Sequence, residues 1–228
     1  MRLLPLARER ASTKTMRDRL VWQAASLLLA YPEDGPGGLA DRLDIVDELL
    51  GHIGEPAAAL LGETVAALRA LEPMAAATGY VEIFDMRRRT TMYLTYWTAG
   101  DTRNRGREML RFATTYRDAG VEPPRAEAPD HLPVVLEFAA TVDPEAGRRL
   151  LVEHRVPIDV LRAALADAKS PYEHAIAAVC ATLPAATDQD VRRAERLARH
   201  LLEAGPPTES VGLQPFTLTV PPRRTGGG

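Results

Sequence analysis

Cysteine and lysine are almost missing from this chain of 228 residues, which has one cysteine, Cys180, and two lysines, Lys14 and Lys169. A single cysteine cannot form a disulfide within the chain or supply a cysteine-based zinc finger. The basic residues are therefore nearly all arginine, a skew typical of base-composition bias in a genome. The formal net charge of −3 argues against a dedicated nucleic-acid-binding protein, which would be strongly basic.

Long apolar runs are absent as well. No stretch reaches the ~18 to 20 consecutive apolar residues that cross a bilayer. The best candidate for a secretion signal, residues 21–30, is interrupted by Gln23 and is followed by Tyr31-Pro32-Glu33-Asp34, which offers no small-residue cleavage site. We therefore expect a cytoplasmic protein that does not insert into a membrane and whose first helix is amphipathic.

Motifs of catalysis and of nucleotide binding are also missing. The chain has no GxxxxGK[ST] or GxGxxG phosphate loop, no GxSxG nucleophile elbow and no HExxH metal motif. Cys180 lies on the apolar face of a predicted helix, where a buried thiol is the usual outcome. We predict no catalytic residues, no metal site and no bound cofactor. No i, i+4 pair occurs among the histidines, which are His52, His131, His154, His174 and His200.

Apolar residues recur at helical spacing along almost the whole chain, and the alternation typical of strands is nearly absent. The one alternating stretch, Phe216 to Val220, lies between prolines near a Gly-rich end. The pattern predicts one all-α domain, a single helical bundle over residues 16–205. We expect residues 1–15 to be a flexible N-terminal segment and residues 206–228 to be a Pro/Gly-rich tail that is disordered or loosely docked.

Local signals predict where several helices begin and end. Polar caps and a proline in the first turn favour helix starts, whereas glycine and proline favour helix ends. The predicted signals are Asp101 and Gly120 around one helix, Asp143-Pro144 and the capping box Ser170-Pro171-Tyr172-Glu173 at two starts, Pro73 at the end of a third helix, and a last helix from Asp188 to Ala204.

The segment from Tyr80 to Arg125 is rich in aromatic residues and arginine. Five of the 12 aromatic residues lie between Tyr80 and Trp97, and residues 86–125 contain nine arginines against four acidic residues, a local charge of +5. Two interpretations stay open. The aromatic side chains could fill the core while the arginines solvate helix faces, or the segment could be a recognition surface, because aromatic residues and arginine dominate binding hot spots.

A second unusual stretch is Pro129-Asp130-His131-Leu132-Pro133. Pro133 suits the first turn of a helix, which puts Asp130 and His131 in the turn just before it. A helix N-terminus attracts anionic groups, and an imidazole beside it can donate or accept a proton near neutral pH. The alternative is that Asp130 only caps the helix and His131 only packs.

Four stretches carry a resemblance to a known family. They resemble the NarJ-type chaperones, which assemble the molybdenum cofactor of respiratory nitrate reductase, and the match covers about residues 20–201. In the wider TorD/DmsD group a residue separates the proline from the Asp-His pair, so from that group only Asp130 and His131 carry over. The four stretches are Tyr80-Val-Glu-Ile-Phe84-Asp-Met-Arg-Arg88, Tyr93-Leu-Thr-Tyr96, Gly100-Asp-Thr-Arg103-Asn-Arg105-Gly106 and Pro129-Asp-His-Leu-Pro133-Val-Val-Leu-Glu137-Phe-Ala-Ala140.

The resemblance implies an all-α fold of the TorD/NarJ type and a protein that binds without catalysing a reaction. Its implied partner is the nitrate reductase catalytic (alpha) subunit in its apo form, bound through that subunit's N-terminal segment. The chaperone would hold this subunit competent for insertion of the molybdenum cofactor and of an iron–sulfur cluster, and would retain neither. Proteins of molybdenum cofactor biosynthesis are a further expected partner class.

The resemblance and the composition together predict a peptide-binding groove between a helix over Tyr80–Trp97 and the turn at Asp130-His131. The aromatic residues would supply apolar contacts, although some of them must be core, and the arginines would meet acidic groups of the client or hold the groove together. Two other classes stay open, an RNA-binding helical module using the arginines of residues 86–125 and an all-α hydrolase or metal-dependent enzyme. The predicted site residues are Tyr80, Phe84, Arg88, Tyr93, Trp97, Arg103, Arg105, Asp130 and His131.

Overall fold

The described part of the chain consists of α-helices joined by turns and loops. The structure, a computed structural model, describes residues 4–99 and 103–203, without the side chains of residues 4–12, 99, 103–104 and 200–203. The helices are α1 (Leu4–Leu29), α2 (Leu39–Leu50), α3 (Ala57–Arg69), α4 (Pro73–Tyr80), α5 (Tyr96–Ala99), α6 (Arg103–Asp118), α7 (Leu132–Thr141), α8 (Pro144–Glu153), α9 (Arg155–Asp167), α10 (Tyr172–Thr182) and α11 (Asp188–Glu203).

Helix α1 is central, because it packs against α2, α3, α7 and α10. Its inner face is fully buried and includes Trp22 and Leu28. The indole Nε1 of Trp22 donates a hydrogen bond of 2.8 Å to Oγ1 of Thr182, which joins α1 to the end of α10. The all-α fold class is confirmed. Within the described ranges the only extended pairing is an isolated antiparallel bridge between Tyr93 and His131.

Two of the predicted helix ends are confirmed. The Asp143 carboxylate accepts hydrogen bonds from the backbone N–H groups of Glu145 and Ala146, at 3.0 and 2.9 Å, and so caps α8. At the end of α6, Gly120 adopts φ +84°, a left-handed conformation that glycine tolerates best, and its N–H donates to the Arg117 carbonyl. The predicted cap Asp101 lies outside the described residues.

Two other predicted signals are wrong. Ser170 does not form a capping box, because its N–H closes the turn after α9 by donating to the Leu165 carbonyl, and its buried Oγ has no hydrogen-bond partner. Pro73 does not end a helix but begins α4, three residues after α3 has closed at Ala70. Proline fits a first helical turn, where its missing N–H has no partner to lose.

The continuous helix expected over Tyr80–Trp97 is also wrong. After α4 the chain forms a π-helical turn over Val81–Asp85 and a 3-10 turn over Arg88–Thr90, and α5 begins only at Tyr96. The Thr90 hydroxyl donates to the Ile83 carbonyl and takes up an acceptor that a longer helix would use internally. Residues 91–93 are then extended, so Tyr93 can pair with His131.

The two ends of the chain differ in what the structure describes. Helix α1 begins at Leu4, so the backbone of residues 4–15 is helical, and the flexibility of residues 1–15 stays a prediction. Helix α11 confirms the predicted last helix and starts at Asp188, as expected. The tail 206–228 lies outside the described residues. No helix of the described part is long and apolar enough to cross a membrane.

Candidate functional site

Asp130 joins two loops at the centre of the predicted site. The residue is fully buried, and its Oδ2 accepts hydrogen bonds from the backbone N–H and the hydroxyl of Thr95, at 3.1 and 2.5 Å. The Leu94 N–H donates to the Asp130 carbonyl, and the Leu132 N–H donates to the Met92 carbonyl, which completes the bridge. Asp130 therefore does not cap α7. It fixes the position of residues 92–95.

Arg105, in the first turns of α6, lies against this carboxylate. Its Nη2 is 3.7 Å from Oδ1 of Asp130, an oxygen that accepts no hydrogen bond, and its Nε donates to Oγ1 of Thr95 at 3.3 Å. The guanidinium carbon lies 5.1 Å from the centre of the Tyr93 ring, within range of a cation–π contact. The buried carboxylate thus holds a cation against the face of an aromatic ring.

The outer side of the cluster consists of Tyr93, Glu127 and His131. The Tyr93 hydroxyl donates to Oε1 of Glu127 at 3.1 Å, and Nδ1 of His131 is 3.4 Å from Oε2 of the same carboxylate. The Tyr93 and His131 rings lie 5.0 Å apart. Their side chains remain partly accessible, as does that of Arg105, which is 20% exposed. We call Tyr93, Arg105, Glu127, Asp130 and His131 the anchor cluster.

Burial sets the protonation states in the anchor cluster. It lowers the pKa of His131 below the ordinary 6.5, although the negative charges of Glu127 and Asp130 act in the opposite direction. It also raises the pKa of Tyr93 to about 12, and the neighbouring Glu127 carboxylate adds to that increase. At neutral pH both rings are therefore uncharged, and the cation of the cluster is Arg105.

Three of the predicted aromatic contacts are core residues in this conformation. Tyr80, Phe84 and Trp97 are buried. The Tyr80 hydroxyl donates to the Leu29 carbonyl at 3.0 Å, and its ring lies 4.7 Å from that of Phe84. Trp97 donates from Nε1 to the Thr91 carbonyl at 3.2 Å. Of the predicted aromatic contacts, only Tyr93 presents part of its ring to solvent.

A cleft opens beside Trp97, at the other end of the segment that carries Tyr93. Its volume is about 410 Å³, and it lies between α5, the corner of α8 and α9, and α11. A second cavity of about 660 Å³ adjoins it and shares Glu153 and Arg193 with it. We call the first cavity the α11 cleft. Its apolar lining includes Trp97, Val152, Val156, Pro157 and Leu197, and its basic lining includes Arg155, Arg193 and Arg196.

The arginines of residues 86–125 do not form one basic face. Arg105 belongs to the anchor cluster, and Arg111 pairs with Glu108 and Glu153. Arg89 and Arg117 lie 3.8 Å from Asp167 and Glu122. Arg88 is exposed beside a small cavity at the end of α9, away from Asp130 and His131 in the chain. The Arg103 side chain lies outside the described residues. This dispersal favours solvation and local pairing over a nucleic-acid surface for most of these residues.

Two members of the arrangement escaped sequence reasoning. Thr95 provides both donors to Asp130, and Glu127 holds Tyr93 and His131 together. Thr95 reaches Asp130 across 35 positions of the chain and Glu127 reaches Tyr93 across 34, which no local pattern reveals, whereas Glu127 and His131 form a local i, i+4 pair. Among the described residues, no group of three or more His, Cys, Asp or Glu side chains could hold a metal ion.

Known proteins share this fold. The crystal structure of a protein from Archaeoglobus fulgidus described as a redox enzyme maturation protein superposes with a TM-score of 0.53 at 23% identity, over 72% of this chain and 91% of that one. At this identity the similarity shows the fold alone. The class that the fold defines is therefore that of the all-α helical proteins.

The family is shown by sequence. The family model of the nitrate reductase delta subunit matches residues 51–178. NarJ of Bacillus subtilis, a probable nitrate reductase molybdenum cofactor assembly chaperone by name, is 32% identical over 166 residues, which cover 72% of this chain and 89% of that protein. The chain therefore belongs to the nitrate reductase delta subunit family, that of the NarJ-type chaperones.

A more similar relative is much longer. The nitrate reductase-like protein NarX of Mycobacterium tuberculosis is 63% identical over 163 residues, which cover 72% of this chain but only 24% of NarX. The chain thus spans about a quarter of that relative.

Proposed function

We propose that the chain is a nitrate reductase assembly chaperone that binds the N-terminal segment of the apo catalytic subunit. The family supports the general role, since its NarJ members are named for assembly of the molybdenum cofactor. The observation that carries the peptide-binding role is the anchor cluster, in which a buried carboxylate fixes Arg105 against the ring of Tyr93. Fixed aromatic and arginine side chains are typical of binding hot spots.

The anchor cluster suits recognition because its members are already ordered. Immobilising a flexible side chain on binding costs about 0.5–1.5 kcal/mol, and here Tyr93, Arg105 and His131 already have partners. A client segment that packs on them gains the contact without that cost. The α11 cleft, lined by apolar residues around Trp97, offers a second accessible apolar surface.

Binding rather than catalysis would be the whole activity. An amphipathic client segment would gain ~25 cal/mol for each Å² of apolar area it buries. Ordering that segment would offset ~2–5 kcal/mol of the gain, which leaves a complex that can dissociate. Release matters, because the catalytic subunit must continue to the assembled enzyme. We place the binding step before insertion of the molybdenum cofactor, with proteins of cofactor biosynthesis as the partners that deliver it.

Isothermal titration with a synthetic peptide of the client's N-terminal segment tests the proposal. We expect Arg105→Ala and His131→Ala each to weaken binding about tenfold, the size of one lost hot-spot contact. Arg117→Ala is the matched control, since Arg117 is exposed and lies 3.8 Å from its acidic partner Glu122. Equal affinity for the wild type and for all three variants would exclude the anchor cluster as the binding site.

The pH dependence of the same titration isolates His131. Because burial lowers the pKa of His131 below its ordinary 6.5, we expect the peptide affinity to change as the pH falls from 7 to 5, and to stay constant between pH 7 and 8, if His131 touches the client. His131→Asn should flatten that profile. A flat profile in the wild type removes His131 from the contact surface and leaves Arg105 and Tyr93 to carry it.

A further inference from the structure

Helix α11 is attached to the rest of the molecule along a narrow stripe. It packs on α9, and most of its described side chains are exposed. Asp190 is partly buried, and the described apolar side chains of α11 that pack against the core are Ala194, Leu197 and Ala198. These three positions have the i, i+3, i+4 spacing of an amphipathic helix lying on an apolar surface.

Open space remains between α11 and the surface on which it packs. The α11 cleft leaves about 410 Å³ between Leu197 on one side and Trp97, Val156 and Pro157 on the other. Arg193 and Arg196 line the same cleft, together with the acidic residues Glu153 and Asp190. Among the described helices, α11 has its main packing contact with α9 alone, whereas α1 packs against α2, α3, α7 and α10.

The face below α11 is suited to a helix. The α9 residues Val156, Pro157 and Val160 are buried together with Trp97, and one amphipathic helix of this chain already lies across α9. A groove that accepts one such helix by shape can accept another with a better apolar stripe. Trp97 belongs to the same short segment as Tyr93, so one stretch of chain carries residues of both this face and the anchor cluster.

We propose that α11 occupies the docking face of the client, and that the client's N-terminal segment displaces it by binding there as an amphipathic helix. This inference rests on the proposed function and adds to it the shape of the ligand and a regulatory step. The occupant that we propose is a client helix whose apolar side chains have the i, i+3, i+4 spacing of Ala194, Leu197 and Ala198. One of these client side chains would be larger and would fill the α11 cleft beside Trp97.

Because α11 covers the face to which the client would bind, α11 and the client compete for it. The apparent affinity for the client is reduced by the fraction of molecules whose face is free. A client with a poor apolar stripe would fail to remove α11, so the exchange adds specificity. When the client leaves, α11 returns and covers the apolar face.

The test uses the full chain and a fluorescently labelled synthetic peptide of the client's N-terminal segment. Leu197→Ser removes the largest apolar contact of α11, so we expect it to tighten peptide binding about tenfold by raising the free fraction. Val191→Ser is the matched control, because it makes the same kind of change at a position that is 47% exposed on the same helix. It should leave the affinity unchanged.

Hydrogen exchange supplies a second measurement that does not depend on a variant. On adding the peptide to the wild type, the amides of residues 188–199 should exchange faster, whereas those of α9 should exchange more slowly. Binding with equal affinity in all three proteins, or slower exchange in α11, would overturn the displacement and leave the proposed function in place. No peptide binding by any of the three proteins would instead overturn the proposed function, and the displacement with it.

Discussion

Asp130 is the buried carboxylate that holds Thr95 and Arg105 in place. Its side chain is closed off from water and accepts both donors of Thr95, while its other oxygen faces the guanidinium of Arg105. A buried charge is tolerated only when it is paired and hydrogen-bonded. The position of Tyr93 and Arg105 at the surface thus depends on a carboxylate beneath them.

Removing that carboxylate should destabilise the protein. Asp130→Ala leaves the N–H and hydroxyl of Thr95 without their acceptor and removes the anion beside Arg105, so we expect the free energy of unfolding to fall by about 2–4 kcal/mol. Urea denaturation followed by circular dichroism measures the loss. Asp118→Ala, at an exposed position of α6, should change stability by less than about 0.5 kcal/mol. A loss as small for Asp130 as for Asp118 would contradict the role of Asp130.

His154, at the corner of α8 and α9, is expected to make stability depend on pH. It is 5% exposed, and burial lowers its pKa below 6.5, although the Leu150 carbonyl and Glu153 act in the opposite direction. Folding therefore favours the neutral ring. As pH falls below 6.5, the unfolded chain takes up a proton that the folded chain refuses, and stability decreases by up to about 1.4 kcal/mol per pH unit.

Denaturation midpoints between pH 7.5 and 5 check this expectation. His154→Gln should reduce the slope, and His131, whose pKa is lowered for the same reason, should account for most of the remainder. His174→Gln, at a side chain that is 42% exposed, should leave the slope as in the wild type. A slope that survives the loss of both His154 and His131 would show that other groups cause it.

Sequence reasoning succeeded for elements whose signals are local. The caps of α8 and the glycine after α6 act within a few residues, so Asp143 and Gly120 could be interpreted correctly without the fold. The break between Tyr80 and Trp97 could not, because it is stabilised by the pairing of Tyr93 with His131, 38 positions along the chain. Of the anchor cluster, the sequence prediction named Tyr93, Arg105, Asp130 and His131 but not Glu127, and it did not name Thr95, which holds Asp130 in place.

The packing of α7 on α8 depends on one glycine. A Cβ at Gly147 would overlap the Cα and Cβ of Ala139, so the two helices approach with no room for a side chain. Gly147→Ala should therefore destabilise the protein by about 1–3 kcal/mol through overpacking. Gly62→Ala in α3 is the matched substitution, because its nearest neighbour, Cδ1 of Leu50, would lie 3.9 Å away.

Gly62→Ala should raise the free energy of unfolding by up to about 1 kcal/mol, since alanine favours a helix interior over glycine. Urea denaturation of both variants measures the two effects with opposite signs. Equal effects of the same sign would show that helix propensity alone, and not the contact between α7 and α8, governs Gly147.

At the scale of the whole molecule, α1 connects regions that are far apart in the chain. It contacts α2 and α3 on one side and α7 and α10 on the other, and its Trp22 bonds to Thr182 across 160 positions. Apolar periodicity predicted these helices but not their arrangement, because many bundles share the same pattern. The family match, which spans residues 51–178, includes most of the helices that surround α1.

The buried thiol of Cys180 can report how often this part of the structure opens. The thiol lies 6% exposed on α10, 3.5 Å from a carboxylate oxygen of Asp159, and burial raises its pKa to about 12. A thiol of that kind is inert to alkylating reagents until the chain around it opens. Because the chain has a single cysteine, the labelling rate of the unmodified protein reports how often α10 leaves its neighbours α1, α3 and α9.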